Sequence, residues 1–301
     1  MKSAALAFLM VCCTAISASW CWFAIVKSKD LGFTARPDPT VPNHTRDIPL
    51  LGGVGVMLAA AAGIALSGLD GSSCVGLWIG LGTICVLGAY KDRVGKPVNP
   101  WLQMGVQAIA AFSVVAAIGA PRLTSFVTVD FALAVVMGIA LMNAVNFLDV
   151  MDGLAAGTCM FAFAGVAVAG STAGPDHSVV VAVGTASGLL GFLVFNVHPA
   201  RIFMGDIGSF GTGLMLFAML IGMSKAMGIG PCALLAGIPI AELAASSIMR
   251  IVVGSSIFAG DGRHLSLVML RHGWRVRTIV GTFWLAEIAC CGAAIVLSSR
   301  K

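Results

Sequence analysis

The segment NAVNFLDVMDGLAAG, residues 143–157, places polar side chains inside an otherwise apolar part of the sequence. Two amides and two carboxylates recur there at three-residue intervals: Asn143, Asn146, Asp149 and Asp152. In a regular α-helix each such step falls about 60° short of a full turn, so the four groups would spread over roughly half the helix circumference. A break in the helix near Gly153 would bring them together around a polar cavity. The alternative is a capping turn in which the Asn and Asp side chains satisfy free backbone N–H groups.

A second segment, FNVHPARIFMGDIGSFGTG at residues 195–213, sets Asp206 between glycines just before an apolar run. Gly205 and Gly208 would let a ligand approach the backbone closely, and a helix that begins here would offer N–H groups to a phosphate. Small residues in this segment are also typical of close packing between membrane helices. Because hard cations such as Mg²⁺ bind carboxylates together with substrate phosphates, the two segments predict a site for a divalent metal or a polyanion.

Two further segments carry charged residues at the ends of apolar runs. Lys91 and Asp92, in VLGAYKDRVGKPVNP, are either membrane-edge anchors or part of the same site. In DGRHLSLVMLRHGWR, residues 261–275, Arg263 is suited to bidentate phosphate contacts and His264 to donating a hydrogen bond to an oxyanion. The alternative for this basic segment is contact with anionic lipid.

The chain has the composition of an integral membrane protein. Of its 301 residues 58% are hydrophobic and only 10% are charged, and the mean hydropathy is +0.98, which a water-soluble surface does not allow. Apolar runs of about 17 to 25 residues, long enough to cross a hydrocarbon core of about 30 Å as helices, recur along the chain. We therefore predict an all-α polytopic membrane protein with one domain, residues 1–301, and about ten transmembrane helices. The predicted spans lie near Ala4–Val26, Leu50–Leu69, Cys74–Tyr90, Gln103–Gly119, Phe126–Met142, Leu154–Gly170, Val179–Val197, Ser209–Met227, Pro231–Gly254 and Val276–Ser298.

The distribution of basic residues predicts the orientation of these spans. With an even number of spans, both termini lie on the same side of the membrane. Of the 18 Lys and Arg residues, 13 fall in one set of loops and five in the set that contains the termini. Because cytoplasmic loops carry the excess of basic residues, both termini are predicted to be periplasmic and the polar segments cytoplasmic. The net charge of +5 then needs no nucleic acid as a partner, and the nine cysteines, which lack CxxC spacing, are predicted to be small apolar residues.

Three motifs resemble those of the bacterial polyprenyl-phosphate N-acetylhexosamine-1-phosphate transferases, which start envelope glycans. HTRDIPLLGG, residues 44–53, is similar to the family's first cytoplasmic loop. NAVNFLDVMDGLAAG resembles the family motif Asn-x-x-Asn-x-x-Asp-Gly-x-Asp-Gly-Leu, and FNVHPARIFMGDIGS is similar to the next motif at almost every residue. The resemblance runs from about His44 to Trp274 and so covers most of the chain.

The resemblance implies transfer of an N-acetylhexosamine-1-phosphate from a UDP-amino sugar to polyprenyl (undecaprenyl) phosphate, with release of UMP. It implies Mg²⁺ as the cofactor, with Mn²⁺ as a substitute, held by Asp92 and Asp206. It also implies a bacterial inner-membrane protein in contact with membrane lipids, with a cytoplasmic active-site cleft, and it is compatible with a homodimer. The implied catalytic residues are Asp92, Asp149, Asp206 and His264. Lys91, which departs from the family pattern, is predicted to join them if it contacts a substrate phosphate directly while Asp206 remains the metal ligand. The implied substrate-binding residues are His44, Asn143, Asn146, Asp152, Asn196, Arg263 and Phe203, the last stacking on the uracil.

The sequence departs from the family's motifs at several positions. Lys91 replaces the first acid of an Asp-Asp pair, and Val150 replaces the first glycine of Asp-Gly-x-Asp-Gly. Ser266 and Leu267 stand in the places of two histidines of His-x-His-His. A lysine in place of a carboxylate changes the sign of the local charge, which favours weaker metal binding or a different anion preference. Two hypotheses therefore stay open: a working transferase, and a relative that binds the lipid carrier or nucleotide without turnover.

Two acids inside the predicted spans, Glu242 and Glu287, leave a third hypothesis open. Carboxylates within membrane helices commonly mark proton or substrate pathways, so a proton-coupled carrier would use them. The alternative for Glu242 is an ion pair with Arg250. The predicted spans show no inverted repeat of interrupted helices of the kind that transporters use, which favours the other two hypotheses.

Overall fold

The computed structural model describes residues 3–35, 47–95, 98–173, 176–256 and 262–299. His44, one of the predicted substrate-binding residues, lies outside the described residues. Most of the described chain is helical, and one short antiparallel ladder pairs Thr34 with Pro49 and Ala35 with Ile48. In chain order the described elements are α1 (Ser3–Leu31), β1 (Thr34–Ala35), β2 (Ile48–Pro49), α2 (Gly52–Leu66), α3 (Gly71–Val94), α4 (Pro100–Ile118), α5 (Val127–Leu148), α6 (Leu154–Ala173), α7 (Asp176–Asn196), α8 (Gly205–Met227), α9 (Ile229–Leu234), α10 (Gly237–Val252), α11 (Leu265–Arg271) and α12 (Val276–Ser298).

The described residues confirm a helical protein with the features of a multi-pass membrane protein. In this part of the chain eight helices are long and apolar enough to cross a membrane: α1, α3, α4, α5, α6, α7, α8 and α12. The two other predicted spans correspond to shorter helices. One is α2, with 15 residues, and the other is the pair α9 and α10, which a turn at Leu235 and Ala236 separates.

Helix α8 runs through the middle of the helix bundle. Its sequence is apolar or small on almost every side, a pattern typical of a buried helix, and most of its residues are buried. Glycines let neighbouring helices approach it closely: Gly213 lies against the backbone of Met142 in α5, and Gly208 lies against Gly53 in α2. The outer helices α1 and α12, by contrast, expose large apolar side chains, as expected for surfaces that face lipid.

The polar segments meet at one end of the bundle. Helices α3, α5 and α7 end there and α4, α6 and α8 begin there, because short connections reverse the chain direction between them. The connection from β2 to α2 crosses this end together with the loop before α8. The Phe203 N–H donates to the Pro49 carbonyl over 2.7 Å, and the Gly53 N–H donates to the Met204 carbonyl over 2.8 Å. These hydrogen bonds hold together the two loops that frame the site.

Buried acids near the interruption between α9 and α10 bind the protein's own backbone. Glu287 of α12 is fully buried and accepts a hydrogen bond from the Ile238 N–H, at the start of α10, over 2.8 Å. Glu242 accepts one from the Leu265 N–H over 3.0 Å. Glu242 Oε1 also accepts the Ser246 hydroxyl over 2.9 Å and lies 3.3 Å from His264 Nδ1, and its ion pair with Arg250 stays a prediction. Each acid thus accepts one backbone N–H group inside the bundle, which is a structural role that needs no proton pathway.

Replacing Glu287 with leucine is expected to lower the free energy of unfolding by about 1–3 kcal/mol, because the change leaves the partly buried Ile238 N–H without its acceptor. The Glu287→Gln variant keeps a side-chain oxygen at this place, and we expect it to lose less stability. Thermal unfolding of the detergent-solubilised protein, followed by circular dichroism, would compare the two variants. A leucine variant as stable as the unmodified protein would show that this hydrogen bond contributes nothing.

Candidate active site

A cavity of about 530 Å³ opens at the end of the bundle where the two loops cross. Its wall contains four carboxylates: Asp92, Asp149, Asp152 and Asp206. The other polar or aromatic wall residues are Asn146, Asn196, His198 and Phe203. The structure therefore brings together most of the predicted site residues from separate parts of the chain. The predicted residues that do not line the cavity, among those described, are Lys91, Asn143, Arg263 and His264.

The expected break in the helix at Gly153 is confirmed. Helix α5 ends at Leu148 and α6 begins at Leu154. Gly153 lies between them with a φ of +76°, a conformation that glycine adopts without steric cost. Its N–H donates to the Asn196 side chain over 2.9 Å, and its carbonyl accepts the Trp284 indole N–H over 3.2 Å. Of the four polar side chains before the interruption, Asn146, Asp149 and Asp152 line the cavity.

Asp92 connects the end of α3 to the beginning of α8. Its two carboxylate oxygens accept the N–H groups of Asp206 and Ile207, over 2.9 and 3.3 Å. It therefore acts as an N-cap supplied by a neighbouring helix, with negative charge at the positive end of the helix dipole. The sequence predicted that the N–H groups at the start of α8 would face a phosphate. For these two groups the prediction is wrong, because Asp92 occupies them.

Two glycines allow this contact between α3 and α8. Gly205 has a φ of +69°, and a Cβ atom there would lie 2.5 Å from the Leu50 carbonyl oxygen and 2.6 Å from Asp92 Oδ2. Gly88 lies one turn before Asp92, and a Cβ atom there would lie 2.4 Å from the Ile207 nitrogen. Gly205 therefore makes room for the protein's own chain, whereas the sequence predicted that it makes room for a ligand.

The Asp206 carboxylate is held between a neutral donor and a cation. Its Oδ1 accepts a hydrogen bond from the Asn146 amide over 2.9 Å, and its Oδ2 lies 3.2 Å from Lys91 Nζ. The same ammonium donates to Gln103 Oε1 over 2.7 Å and lies 4.5 Å from the centre of the Phe210 ring. Lys91 therefore contacts the site from behind Asp206 and not from the open cavity.

Two glutamines that sequence reasoning missed connect this site to Asn143. The Gln103 amide donates to Asn143 Oδ1 over 3.2 Å, and the Asn143 amide donates to Gln107 Oε1 over 2.9 Å. Asn143 thus belongs to a polar layer beneath the cavity. The signal in the sequence was the spacing of four between the glutamines within an apolar span. Amides at that spacing share a helix face, and in membrane helices they bond across to a neighbour.

Asp152 and Asn196 fix the loop that precedes α8. Asp152 accepts the Ala200 N–H over 3.0 Å and lies 2.7 Å from Nδ1 of His198, a wall residue that was not among the predicted ones. The Asn196 amide donates to the Ile202 carbonyl over 2.9 Å. The capping alternative therefore holds for Asp152, which accepts a backbone N–H group. Asn196, outside the segment for which that alternative was considered, also binds backbone groups. Their contact with a substrate stays a prediction.

The part of the chain after α10 contributes an apolar wall. Leu267, Leu270 and Val276 line the cavity. His264 is buried outside it, with Nδ1 3.3 Å from Glu242 Oε1. Leu267, which lines the cavity, stands in one of the places where the resemblance leads one to expect histidine. The catalytic role of His264 stays a prediction.

The Asp149 carboxylate, just after the end of α5, is the wall carboxylate best placed to bind a cation, because among the described residues no side-chain or backbone donor reaches it. Burial raises the pKa of the Asp149 carboxyl well above its ordinary value, and the nearby Asp206, Asp92 and Asp152 raise it further. A divalent cation would relieve this repulsion. Among the described residues no group of three acidic, His or Cys side chains can hold a metal alone. This donor set fits Mg²⁺, which binds one or two carboxylates and completes its shell with water and phosphates.

The sequence model of glycosyl transferase family 4 matches residues 74–224, half of the chain. The probable undecaprenyl-phosphate N-acetylglucosaminyl 1-phosphate transferase of Bacillus subtilis (strain 168) is 28% identical over 274 residues, 85% of this chain and 75% of that protein. The phospho-N-acetylmuramoyl-pentapeptide-transferase of Heliobacterium modesticaldum is 30% identical over 277 residues, 83% of each chain. Its counterpart in Oceanobacillus iheyensis is 35% identical over 161 residues, 52% of this chain and 48% of that protein.

The matched residues run from α3 to α8 and contain all four wall carboxylates, Lys91 and the loop before α8. The similarity to the Bacillus and Heliobacterium proteins extends over more than four fifths of the chain, so it reaches well beyond the motifs around the cavity. The sequence similarity therefore covers the helix bundle as well as the residues around the cavity. The chain belongs to glycosyl transferase family 4.

Proposed function

We propose that this protein transfers an N-acetylhexosamine-1-phosphate from a UDP-sugar to polyprenyl phosphate, such as undecaprenyl phosphate, and releases UMP. The observation that carries the proposal is the cluster of four carboxylates at the end of a membrane helix bundle. Alone, these carboxylates would repel two phosphate-bearing substrates, so their clustering supports a site that a divalent cation completes. The names of the relatives, which specify sugar-phosphate transfer, support the same chemistry.

Asp149 and Asp206 would hold Mg²⁺, with Mn²⁺ as a substitute. The bound ion would neutralise the phosphate oxygens on which charge develops during transfer. Asp92 was predicted as a metal ligand, but both of its oxygens accept backbone N–H groups of α8. We therefore propose that Asp92 is a positioning residue, which holds Asp206 at the start of its helix. The loop that ends at Phe203 would place the Phe203 ring against the uracil.

The acceptor phosphate is already a nucleophile, because a phosphate monoester has a second pKa of about 6 and is largely ionised at pH 7. One of its oxygens would attack the phosphorus bonded to the sugar, and the diphosphate bond to UMP would break. The protein must then chiefly hold two phosphates close together and in line, which is a matter of position and charge. This scheme needs no general base, so it is compatible with Leu267 in a place where the motif resemblance leads one to expect histidine.

The end of the bundle that carries the cavity also carries basic residues, including Lys91, Arg93 and Arg201. By the positive-inside rule this supports a cytoplasmic site in the bacterial inner membrane, with both termini periplasmic. The short α2 and the pair α9 and α10 would complete about ten crossing segments. The lipid acceptor would then reach the cavity from the bilayer and the nucleotide from the cytoplasm. We include a homodimer in this proposal because of the family resemblance alone.

Purified protein in detergent, given undecaprenyl phosphate and a panel of UDP-sugars, would test this function. We expect Mg²⁺-dependent UMP release with a UDP-N-acetylhexosamine that carries no peptide. Omission of the lipid or addition of EDTA should each stop the release. If no donor in the panel gives UMP, the protein is not a transferase of this kind.

The second candidate function is binding of the lipid carrier or nucleotide without turnover. The contact of 3.2 Å between Lys91 and Asp206 favours it, because an ammonium already neutralises the expected metal ligand. This function predicts retained binding of UDP without UMP release. It also predicts that Lys91→Asp, combined with Ser266→His and Leu267→His, restores turnover.

A further inference from the structure

The Lys91 side chain has a defined position beside Asp206. Contacts from two other helices hold its ammonium: Asp206 and Phe210 of α8 at 3.2 and 4.5 Å, and Gln103 of α4 at 2.7 Å. Only 15% of the side chain is exposed. A lysine bound by a carboxylate, an amide oxygen and a ring face in a partly buried site keeps its charge near one point.

Both carboxylate oxygens of Asp206 already have a partner within the protein. Oδ1 already accepts the Asn146 amide, and Oδ2 faces the Lys91 ammonium. Each carboxylate oxygen has a second lone pair, so a metal ion can still bind. That ion would, however, lie within a few ångströms of a fixed positive charge, and the two would repel each other in a partly buried site. Lys91 therefore opposes metal binding through the same carboxylate that it holds in place.

We propose that Lys91 positions Asp206 and lowers the affinity of the site for a free divalent cation, so that the metal enters together with the diphosphate of the donor. The diphosphate supplies the negative charge and the oxygen ligands that the protein lacks when Lys91 occupies one side of Asp206. This inference rests on the proposed function, because it takes the cavity as the site of a metal and a nucleotide diphosphate. Lys91 then acts through Asp206 and makes no direct contact with the substrate.

Binding of Mn²⁺ to the purified full-length protein in detergent, without substrates, tests this role. The electron paramagnetic resonance signal of free Mn²⁺ measures the affinity directly. We expect the Lys91→Met and Lys91→Gln variants to bind Mn²⁺ about tenfold more tightly, or more, than the unmodified protein. Lys91→Arg keeps the charge and is the matched control, with an affinity within about twofold of the unmodified protein. Adding Asp206→Asn to Lys91→Met should abolish the gain.

Three results would overturn the proposal. One is an Mn²⁺ affinity that stays unchanged in both Lys91→Met and Lys91→Gln. Another is a gain that persists when Asp206 is also changed, since the metal would then bind elsewhere. The third is a loss of metal-free UDP binding in the neutral variants, with unchanged Mn²⁺ affinity, which would assign Lys91 to direct phosphate contact.

Circular dichroism and gel filtration would verify that each variant is folded. Lys91→Gln keeps a polar partner for Gln103, so the test stays decisive if the methionine variant does not fold. The readout requires no turnover and is therefore independent of the transferase assay. The variants could show the expected order of Mn²⁺ affinities although the protein releases no UMP. That combination would support this role of Lys91 and refute the proposed catalysis.

Discussion

Replacing Asp206 with asparagine is expected to lower the rate of UMP release by about 10²- to 10³-fold. The variant keeps an oxygen that can accept the Asn146 hydrogen bond, but it removes the charge that faces Lys91 and the proposed metal. The start of α8 should survive, because the Asp206 backbone N–H and not its side chain binds Asp92. Steady-state UMP release at saturating Mg²⁺, together with thermal unfolding, would measure both effects.

Asp70→Asn is a matched control for this change. Asp70 is exposed, lies at the opposite end of α3 and caps that helix by accepting the Ser73 N–H over 2.9 Å. Asparagine caps a helix about as well as aspartate, so activity and stability should stay unchanged. If Asp206→Asn retains more than about a tenth of the rate, then Asp206 does not carry the electrostatic role that we propose.

Replacing Gly205 with alanine is expected to destabilise the protein by about 2–4 kcal/mol and to lower UMP release by about 100-fold. The residue has a φ of +69°, which disfavours any residue with a Cβ atom. The added methyl group would also lie 2.5 Å from the Leu50 carbonyl oxygen and 2.6 Å from Asp92 Oδ2. Relief of these contacts must move the start of α8, and Asp206 moves with it. Thermal unfolding and steady-state kinetics would follow the two losses separately.

Gly82→Ala provides the control for Gly205→Ala. Gly82 lies within α3, and a Cβ atom at this position would meet no atom within 4 Å. Alanine is the better helix former, so stability should be equal or slightly higher and activity unchanged. Gly205→Ala with the activity and stability of the unmodified protein would show that the contact between Leu50, Asp92 and α8 does not position Asp206.

Much of the fold and of the cavity wall could be predicted from local sequence. In a membrane, an apolar run of about 20 residues satisfies its backbone hydrogen bonds by forming a helix. The helices therefore lie close to the positions predicted from the sequence. The dense polar residues before Gly153 predicted the break between α5 and α6 for a local reason as well. Glycine tolerates the positive φ of that turn, and only a polar cavity offsets the burial of so many amides and carboxylates.

The roles of single side chains could not be predicted in the same way. Asp92 and Lys91 are neighbours in the sequence, yet Asp92 binds the backbone of α8 and Lys91 binds the side chain of Asp206. His264 and Leu267 lie within one turn of each other, and only Leu267 faces the cavity. The packing of the helices decides which side chains at a helix end contact a neighbouring helix. A local sequence pattern does not encode this packing.

By itself the sequence determined the class of protein, the approximate positions of its membrane helices, the carboxylates of the site and the family to which the motifs belong. The tertiary structure alone decided that the Asp149 carboxylate lines the cavity without a donor among the described residues, and that Gly205 makes room for Asp92 and Leu50. It also decided that Lys91 approaches Asp206 from behind. Hydrophobic length and glycine content are properties of a segment, whereas the charge around a carboxylate depends on which helices touch, through contacts between residues more than 100 positions apart.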